Sequence, residues 1–246
     1  MFSLKGRTTL VTGASRGIGA ATARLCASAG ARVIAHAAAP SEAAEAVTAE
    51  TGAEFLFEDL SRPGGGGRLF ARAIAQAPAL DSVVNNAGVY RASPVAGGEA
   101  WERGWEETLA VNLRAPADIC RAAIAHFRKS GHGRIVNVAS RAGERGDSLD
   151  YAAYAASKGA LLALTKTYAR ALSGENILCY ALAPGWVETR MAPEDIEARK
   201  RAVADIPLGR VANPDEIGRL IAFLLSDACM SATGATFDVN GASHVR

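Results

Sequence analysis

Along the chain, short runs of β-branched and aliphatic residues alternate with longer stretches whose alanines and leucines recur three or four positions apart. The short runs predict strands at Thr8 to Val11, Arg32 to His36, Glu54 to Phe57, Ser82 to Val84, Arg134 to Val138, Ile177 to Ala181 and Thr236 to Val239. The longer stretches predict helices near Ile18 to Ala29, Ser41 to Thr51, Leu69 to Gln76, Trp105 to Lys129, Tyr151 to Leu172 and Pro214 to Leu225. Strand and helix taking turns in this way build βαβ units, and right-handed crossovers then put helices on both faces of one parallel, doubly wound α/β sheet. Four glycines at Gly64 to Gly67 would each cost a helix about 1 kcal/mol relative to alanine, so a loop is expected there. Met191 to Pro207 is helical in composition but sits between two loop signals, Pro184-Gly185 and Pro207-Leu208-Gly209, which suggests a mobile lid over a site near residues 187–210.

A chain of 246 residues is long enough to bury a core without staples, and 49% hydrophobic with 21% charged residues is the balance of a globular domain. A single domain, 1–246, is expected. The net charge of +2 leaves no basic footprint for a phosphate backbone, so nucleic acid is not an expected partner. Cys26, Cys120, Cys179 and Cys229 are scattered, with no CxxC pair and no histidine at ligand spacing, so reduced thiols and no metal site are expected. No run approaches the roughly 18 apolar residues of a membrane span, and Met1 to Gly6 leads into the first strand without a leader signature. A cytoplasmic protein with no membrane partner is the expectation.

Thr12-Gly13-Ala14-Ser15-Arg16-Gly17-Ile18-Gly19 follows the first strand and opens the first helix. Glycines there allow a tight turn and close backbone approach, while the unpaired N–H groups and dipole of the helix start favour a pyrophosphate. At the end of the second strand, Val33-Ile34-Ala35-His36-Ala37-Ala38-Ala39 offers no carboxylate to hold a ribose 2′-hydroxyl or repel a 2′-phosphate. Arg16 could pair with such a phosphate. The expected cofactor is therefore NADP(H), with NAD the alternative.

Tyr154 and Lys158 lie four residues apart on a predicted helix and share a face. Bringing a phenol from a pKa of about 10 to near 7 needs roughly 4 kcal/mol, about what one ammonium at about 4 Å supplies at an effective dielectric near 20. Ser140 ends the apolar run Ile135-Val136-Asn137-Val138, at the carboxyl end of a predicted strand where open α/β sheets place ligands.

The ordered set Thr12 to Gly19 with its Gly-x3-Gly-x-Gly spacing, Asp59-Leu60, Asn85-Asn86-Ala87-Gly88, Asn112, Ser140, Tyr154-x3-Lys158 and Pro184-Gly185 resembles the short-chain dehydrogenase/reductase family over essentially the whole chain. Within it, the nearest general likeness is to 3-oxoacyl-acyl-carrier-protein reductases. The resemblance implies a Rossmann-type fold and hydride transfer between NADP(H) and a carbonyl or secondary alcohol substrate. It makes Tyr154 the acid/base, Ser140 the holder of the substrate oxygen, Lys158 the ligand of the nicotinamide ribose and Asn112 the binder of a water linking Lys158 to solvent. It assigns cofactor contacts to Gly13, Ser15, Arg16, Gly17, Ile18, Gly19, Ala37, Asp59, Leu60, Asn86, Ala87, Gly88, Pro184, Gly185, Val187 and Thr189, besides Tyr154 and Lys158. It further implies a homodimer or homotetramer formed through the long fourth and fifth helices. An NAD-dependent sugar, polyol or steroid-type alcohol dehydrogenase and a non-catalytic nicotinamide-binding sensor are the alternatives.

Of the remaining residues, Tyr151 is expected in a wall or capping role, Trp186 as a pocket wall, and Trp101 and Trp105 as packing or subunit-contact residues. Arg141, Glu144 and Arg145 form a polar loop bordering the substrate, and His36, His126, His132 and His244 are expected in solvated or capping roles.

Overall fold

The computed structural model describes residues 2–191 and 195–245. β1 (Thr8–Val11), α1 (Gly17–Ser28), β2 (Arg32–Ala37), α2 (Glu42–Thr51), β3 (Glu54–Phe57), α3 (Gly65–Gln76) and β4 (Ser82–Asn85) make the first half of the chain. The second half contains α4 (Glu99–Leu109), α5 (Ala115–Ser130), β5 (Gly133–Val138), α6 (Ala142–Arg145), α7 (Ala152–Leu172), β6 (Ile177–Pro184), α8 (Ile196–Ala204), α9 (Pro214–Leu225) and β7 (Thr236–Val239). All seven strands run parallel in the order β3-β2-β1-β4-β5-β6-β7. The order reverses between β1 and β4, and the crevice at the carboxyl ends of those strands is where such sheets bind ligands.

Strand periodicity explains the two-sided core. Leu10, Val83, Ile135, Ile177 and Cys179 point to the face covered by α3, α5 and α7. Their neighbours Val11, Val84, Val136, Leu178 and Tyr180 point to the face covered by α1, α2 and α9. Because both faces are dry, the strands read as nearly continuous apolar runs.

Gly64 to Gly67 is not a loop beyond its first residue, because α3 starts at Gly65 with Gly64 in the left-handed conformation at φ 75°. Close packing overrides propensity here. A Cβ on Gly66 would lie 2.4 Å from the Ala115 carbonyl oxygen, and one on Gly65 2.7 Å from that of Asp59. The glycines bring α3 against the start of α5. Gly66→Ala is expected to destabilise the protein by about 1–3 kcal/mol through overpacking, read as a lower urea midpoint. An unchanged midpoint would show that α3 and α5 can separate freely.

The helix expected from Trp105 to Lys129 starts earlier, at Glu99, and is broken by a π turn at Ala110–Arg114 before α5 continues with Pro116 in its first turn. Residues 187–210 include α8, none of whose residues is buried, and Val187 and Ala212 form an isolated bridge that ties the two ends of the segment together. Residues 192–194, part of the expected lid, lie outside the described residues.

Candidate active site

The turn after β1 is assembled by hydrogen bonds reaching across the switch point. Thr12 Oγ1 accepts the N–H groups of Asn86 (2.9 Å) and Ala87 (3.0 Å) and donates to the Val84 carbonyl (3.2 Å). The Asn86 amide donates to the carbonyls of Thr12 (2.9 Å) and Gly13 (3.2 Å). Backbone contact is so close that a Cβ on Gly13 would lie 2.9 Å from Ala87 Cα, and one on Gly19 2.1 Å from the Gly13 oxygen. Arg16 stands at the N-cap of α1 and makes no side-chain cap, so the N–H groups of the first turn face the cleft without a capping side chain.

Of the expected solvated or capping roles, His36 takes the capping one and is not solvated. It is 2% exposed, accepts the Gly13 N–H at Nδ1 (3.2 Å), and its Nε2 lies 2.9 Å from the Glu58 carbonyl. That pair of contacts needs a neutral ring with its proton on Nε2, in keeping with burial lowering the His36 pKa. His132 is partly exposed and bonds to Asp81 (2.8 Å), and His126 meets the Leu80 carbonyl (3.1 Å).

A cleft of about 960 Å³ opens at the carboxyl edge of the sheet. Gly13, Ser15, Arg16, Gly17, Ile18, Ala37, Asp59, Leu60, Asn86, Ala87, Gly88, Ser140, Tyr154, Lys158, Pro184, Gly185, Val187 and Thr189 line it, together with the expected wall Trp186 and with Tyr90, while Tyr151 stands behind Tyr90 and at the N-cap of α7. Gly19 and Asn112 do not line it. Gly19 instead lets the first turn close, and Asn112 is fully buried behind Gly88. Thr189 crosses over the glycine turn, since a Cβ on Gly17 would sit 2.9 Å from its Cγ2. Asp59 turns its carboxylate back on Ser61, accepting from its N–H (3.0 Å) and hydroxyl (2.6 Å), and those bonds with Arg62 nearby hold its pKa below the usual value.

At the other end of the cleft Ser140, Tyr154 and Lys158 line the wall together, and the Ser140 hydroxyl acts to favour the Tyr154 phenolate. Ser140 Oγ also accepts the Ala142 N–H (3.1 Å), which fixes it at the start of α6. Lys158 is 4% exposed, donates to the Val138 carbonyl (2.8 Å), and holds Nζ 5.8 Å from the Tyr154 ring centre. Gly88 leaves a slot between two functional groups, because a Cβ there would lie 3.3 Å from Asn112 Oδ1 and 3.5 Å from Lys158 Nζ. Asn112 rides on the π turn, a helix irregularity frequent at functional sites. Its Oδ1 accepts the Val89 N–H (2.8 Å), and its Nδ2 donates to the Val89 carbonyl (2.9 Å) and Ser157 Oγ (3.2 Å).

The acidity of the pair departs from the expected mutual tuning. Burial pushes Tyr154 up to about 12, against the opposing Ser140 hydrogen bond and with the Asp147 charge adding to the rise. Burial also brings Lys158 down to about 8. Desolvation outweighs the ammonium because Nζ is directed at a backbone carbonyl rather than at the phenol.

Sequence reading missed Tyr90. Its ring stacks on Tyr151 at 3.8 Å between centroids, meets Tyr154 edge to face at 4.8 Å and Trp186 at 6.3 Å, and its hydroxyl donates to Asp147 (3.2 Å). No local pattern marks it, since these partners are 57 or more residues away in the chain. Trp101 and Trp105 pack against one another at 5.4 Å. Among the described residues there is no cluster able to hold a metal ion, and no helix is long and apolar enough to cross a membrane. Cys26, Cys120 and Cys179 are buried free thiols.

A parallel sheet with a glycine-cradled helix start at its switch point, continuous with a Ser/Tyr/Lys constellation, defines a nicotinamide-dependent oxidoreductase. The family model described as Enoyl-(Acyl carrier protein) reductase matches residues 13–244, and the chain belongs to the short-chain dehydrogenase/reductase family. It is 34% identical over 256 residues to a 3-oxoacyl-acyl-carrier-protein reductase, FabG, of Vibrio cholerae, covering 99% of this chain and 100% of that one. It is 40% identical over 250 residues to the protein FixR of Bradyrhizobium diazoefficiens, covering 96% of this chain and 86% of that one. The crystal structure of a 3-oxoacyl (acyl-carrier-protein) reductase from Agrobacterium tumefaciens C58 with NADP bound superposes with a TM-score of 0.91 at 36% identity, covering 98% of this chain and 95% of that one.

Proposed function

We propose that this chain transfers a hydride between NADP(H) and a carbonyl or secondary alcohol substrate, with Tyr154 as acid/base. The observation that carries this reading is the grouping of Ser140, Tyr154 and buried Lys158 in one cleft with the bare first turn of α1. The glycine turn fits a dinucleotide: Gly13, Gly17 and Gly19 permit the close backbone packing that shapes it, and Arg16 and Ala37 line the same cleft. Gly13, Ser15, Gly17, Ile18 and Thr189 would hold the pyrophosphate, and Asn86, Gly88, Tyr154, Lys158, Pro184, Gly185 and Val187 the nicotinamide half. The bound nicotinamide supplies or accepts the hydride.

In reduction, Tyr154 gives its proton to the substrate oxygen while Ser140 donates a hydrogen bond to the same atom and steadies its developing charge. Lys158 keeps a positive charge beside the phenol, and Asn112 and Gly88 shape the space behind it. Oxidation reverses each step. A phenol at about 12 is protonated at neutral pH and ready to act as an acid, so ketone reduction is expected to hold near neutrality. Alcohol oxidation is expected to rise from about pH 7 upward as phenolate becomes available. Initial rates in both directions across pH check this; an oxidation rate that falls with rising pH would contradict it.

NADP(H) is favoured because the end of β2 carries Ala37 and no carboxylate, while Glu58 at the end of β3 is engaged by Arg68 at 2.8 Å. The NADP-bound neighbour of 36% identity supports the same choice. Ala37→Asp is expected to lower kcat/KM for NADPH at least about tenfold relative to NADH by repelling the 2′-phosphate. An unchanged ratio would place the phosphate elsewhere.

The relatives named as 3-oxoacyl reductases support a 3-oxoacyl thioester as one substrate to test. Residues 187–210, with exposed α8, form a substrate lid in this reading, and the chain works in the cytoplasm as a homodimer or homotetramer assembled through α5 and α7. The deciding experiment follows nicotinamide absorbance with a panel of ketones, aldehydes, alcohols and 3-oxoacyl thioesters, using both cofactors in both directions. Cofactor binding without turnover of any member would leave the sensor alternative.

A further inference from the structure

Arg141 follows Ser140 directly, and its backbone N–H donates to the Pro184 carbonyl (3.0 Å), locking the start of α6 to the end of β6. The residue is 7% exposed. Its Nη1 donates to Asp205 Oδ2 (3.3 Å), and the same carboxylate oxygen receives Arg145 Nη2 (2.9 Å), while Arg145 Nη1 reaches the Ser243 carbonyl (3.1 Å). Two guanidinium groups thus share one carboxylate. Asp205 caps the end of α8 and its side chain is 48% exposed, so the negative member of the cluster is the wet one and Arg141 the dry one.

The other charges around the cluster do not restore the balance. Arg190 and Arg201 line the same cleft. Asp147 lines it too, accepting the Tyr90 hydroxyl (3.2 Å) and acting on Arg141 as a second negative charge, while Glu107 is engaged by Arg91 (3.0 Å), so the arginines still outnumber the free carboxylates in the cleft. A buried guanidinium is tolerated where an anion meets it, and its planar fork suits two oxygens of one carboxylate or phosphate better than the single oxygen that Asp205 presents.

We propose that Arg141, supported by Arg145, is a subsite for an anionic oxygen group carried by the substrate, and that Asp205 occupies this subsite from the lid and yields it when the substrate binds. The inference rests on the hydride-transfer reading for the identity of the cleft and adds the substrate class. Ser140 and Arg141 are consecutive in the chain and line the same cleft, so a group held by the one shares a chamber with an oxygen held by the other. That proximity favours a carboxylate within a small keto acid or hydroxy acid over a phosphate at the far end of a thioester carrier.

Two matched pairs test the proposal: a short-chain keto acid against its methyl ester, and a 3-oxoacyl coenzyme A against the same acyl group on N-acetylcysteamine. We expect kcat/KM for the keto acid to exceed that for its ester by roughly tenfold to a hundredfold, the factor of a charged hydrogen bond, and Arg141→Met to erase the difference through KM. Arg141→Lys, which keeps the charge and loses the fork, should retain part of it. Asp205→Asn should lower KM for the acid by removing the competitor. A gap in the coenzyme A pair that Arg141→Met erases would assign the subsite to phosphate instead.

Equal rates within both pairs, a gap that survives Arg141→Met, or a higher KM for the acid in Asp205→Asn would overturn the proposal. A second readout does not need turnover: malonate, with NADPH present, should raise the melting temperature of the wild type and not of Arg141→Met. If no carbonyl compound is turned over, the redox reading fails, and the malonate shift still decides the subsite, its absence in the wild type counting against it.

Discussion

Tyr154→Phe is expected to lower kcat in both directions by about a hundredfold to ten-thousandfold, the range that positioned proton transfer contributes, while NADPH affinity stays within about twofold. The substitution removes one oxygen and keeps the ring, so the edge-to-face contact with Tyr90 at 4.8 Å survives. Ser140 loses its partner but remains fixed by the Ala142 N–H. Stopped-flow turnover and nicotinamide fluorescence titration separate the two effects. If kcat stayed within a few fold, the proton would have to come from another group, and neighbouring Tyr151 would be the first to examine. Loss of NADPH affinity in step with kcat would instead make cofactor binding, and not proton transfer, the main role of the Tyr154 hydroxyl.

How far this picture could be read from the sequence depended on whether the cause was local. α9 was legible to the residue because Asn213 caps it, Glu216 closes the reciprocal bond to the Asn213 N–H (2.8 Å), and Pro214 suits the first helical position. β1, β3 and β7 matched because apolar runs bounded by turn residues have few other uses in a sheet covered on both sides. The catalytic spacing was legible too, since Tyr154 and Lys158 share one helix.

What escaped was set by distant partners. The helix start at Gly65 depends on how closely the Ala115 carbonyl approaches, 2.4 Å from a Cβ on Gly66, and no window of sequence contains both residues. His36, at the end of its predicted strand, showed no sign of burial because its partners, Gly13 and Glu58, lie on the flanking segments. Tyr90 and the Arg141–Asp205 contact likewise join segments that only the fold brings together. The π turn around Asn112 leaves no composition signal, since its residues would serve equally well in an α-helix. The acidity of Tyr154 was misjudged for a related reason: spacing along a helix gives the direction from one residue to another, but the depth of burial and the pull of the Val138 carbonyl on Lys158 come from β5.

Lys158→Met is expected to cut turnover by at least about a hundredfold, because it removes both the proposed ribose contact and the charge beside the phenol. Its stability signature is separable from that loss. Burial lowers the Lys158 pKa from 10.5 to about 8, so between those values the unfolded chain holds a proton that the folded chain has released. Below about pH 8 both states hold it, and the cost of the buried charge is constant; as pH rises toward 10 the folded state is relieved of that cost, and this group adds stability. At 1.36 kcal/mol per pKa unit, the wild type should gain about 1–3 kcal/mol relative to Lys158→Met between pH 7.5 and 10. Taking the difference between the two proteins cancels the raised thiols of Cys26, Cys120 and Cys179, which both carry and which act in the opposite direction in alkaline solution. Urea denaturation at the two pH values measures it. A flat difference would mean that Lys158 reaches solvent in the folded state, and the ammonium would then be too well hydrated to act on the phenol, whatever the variant did to turnover.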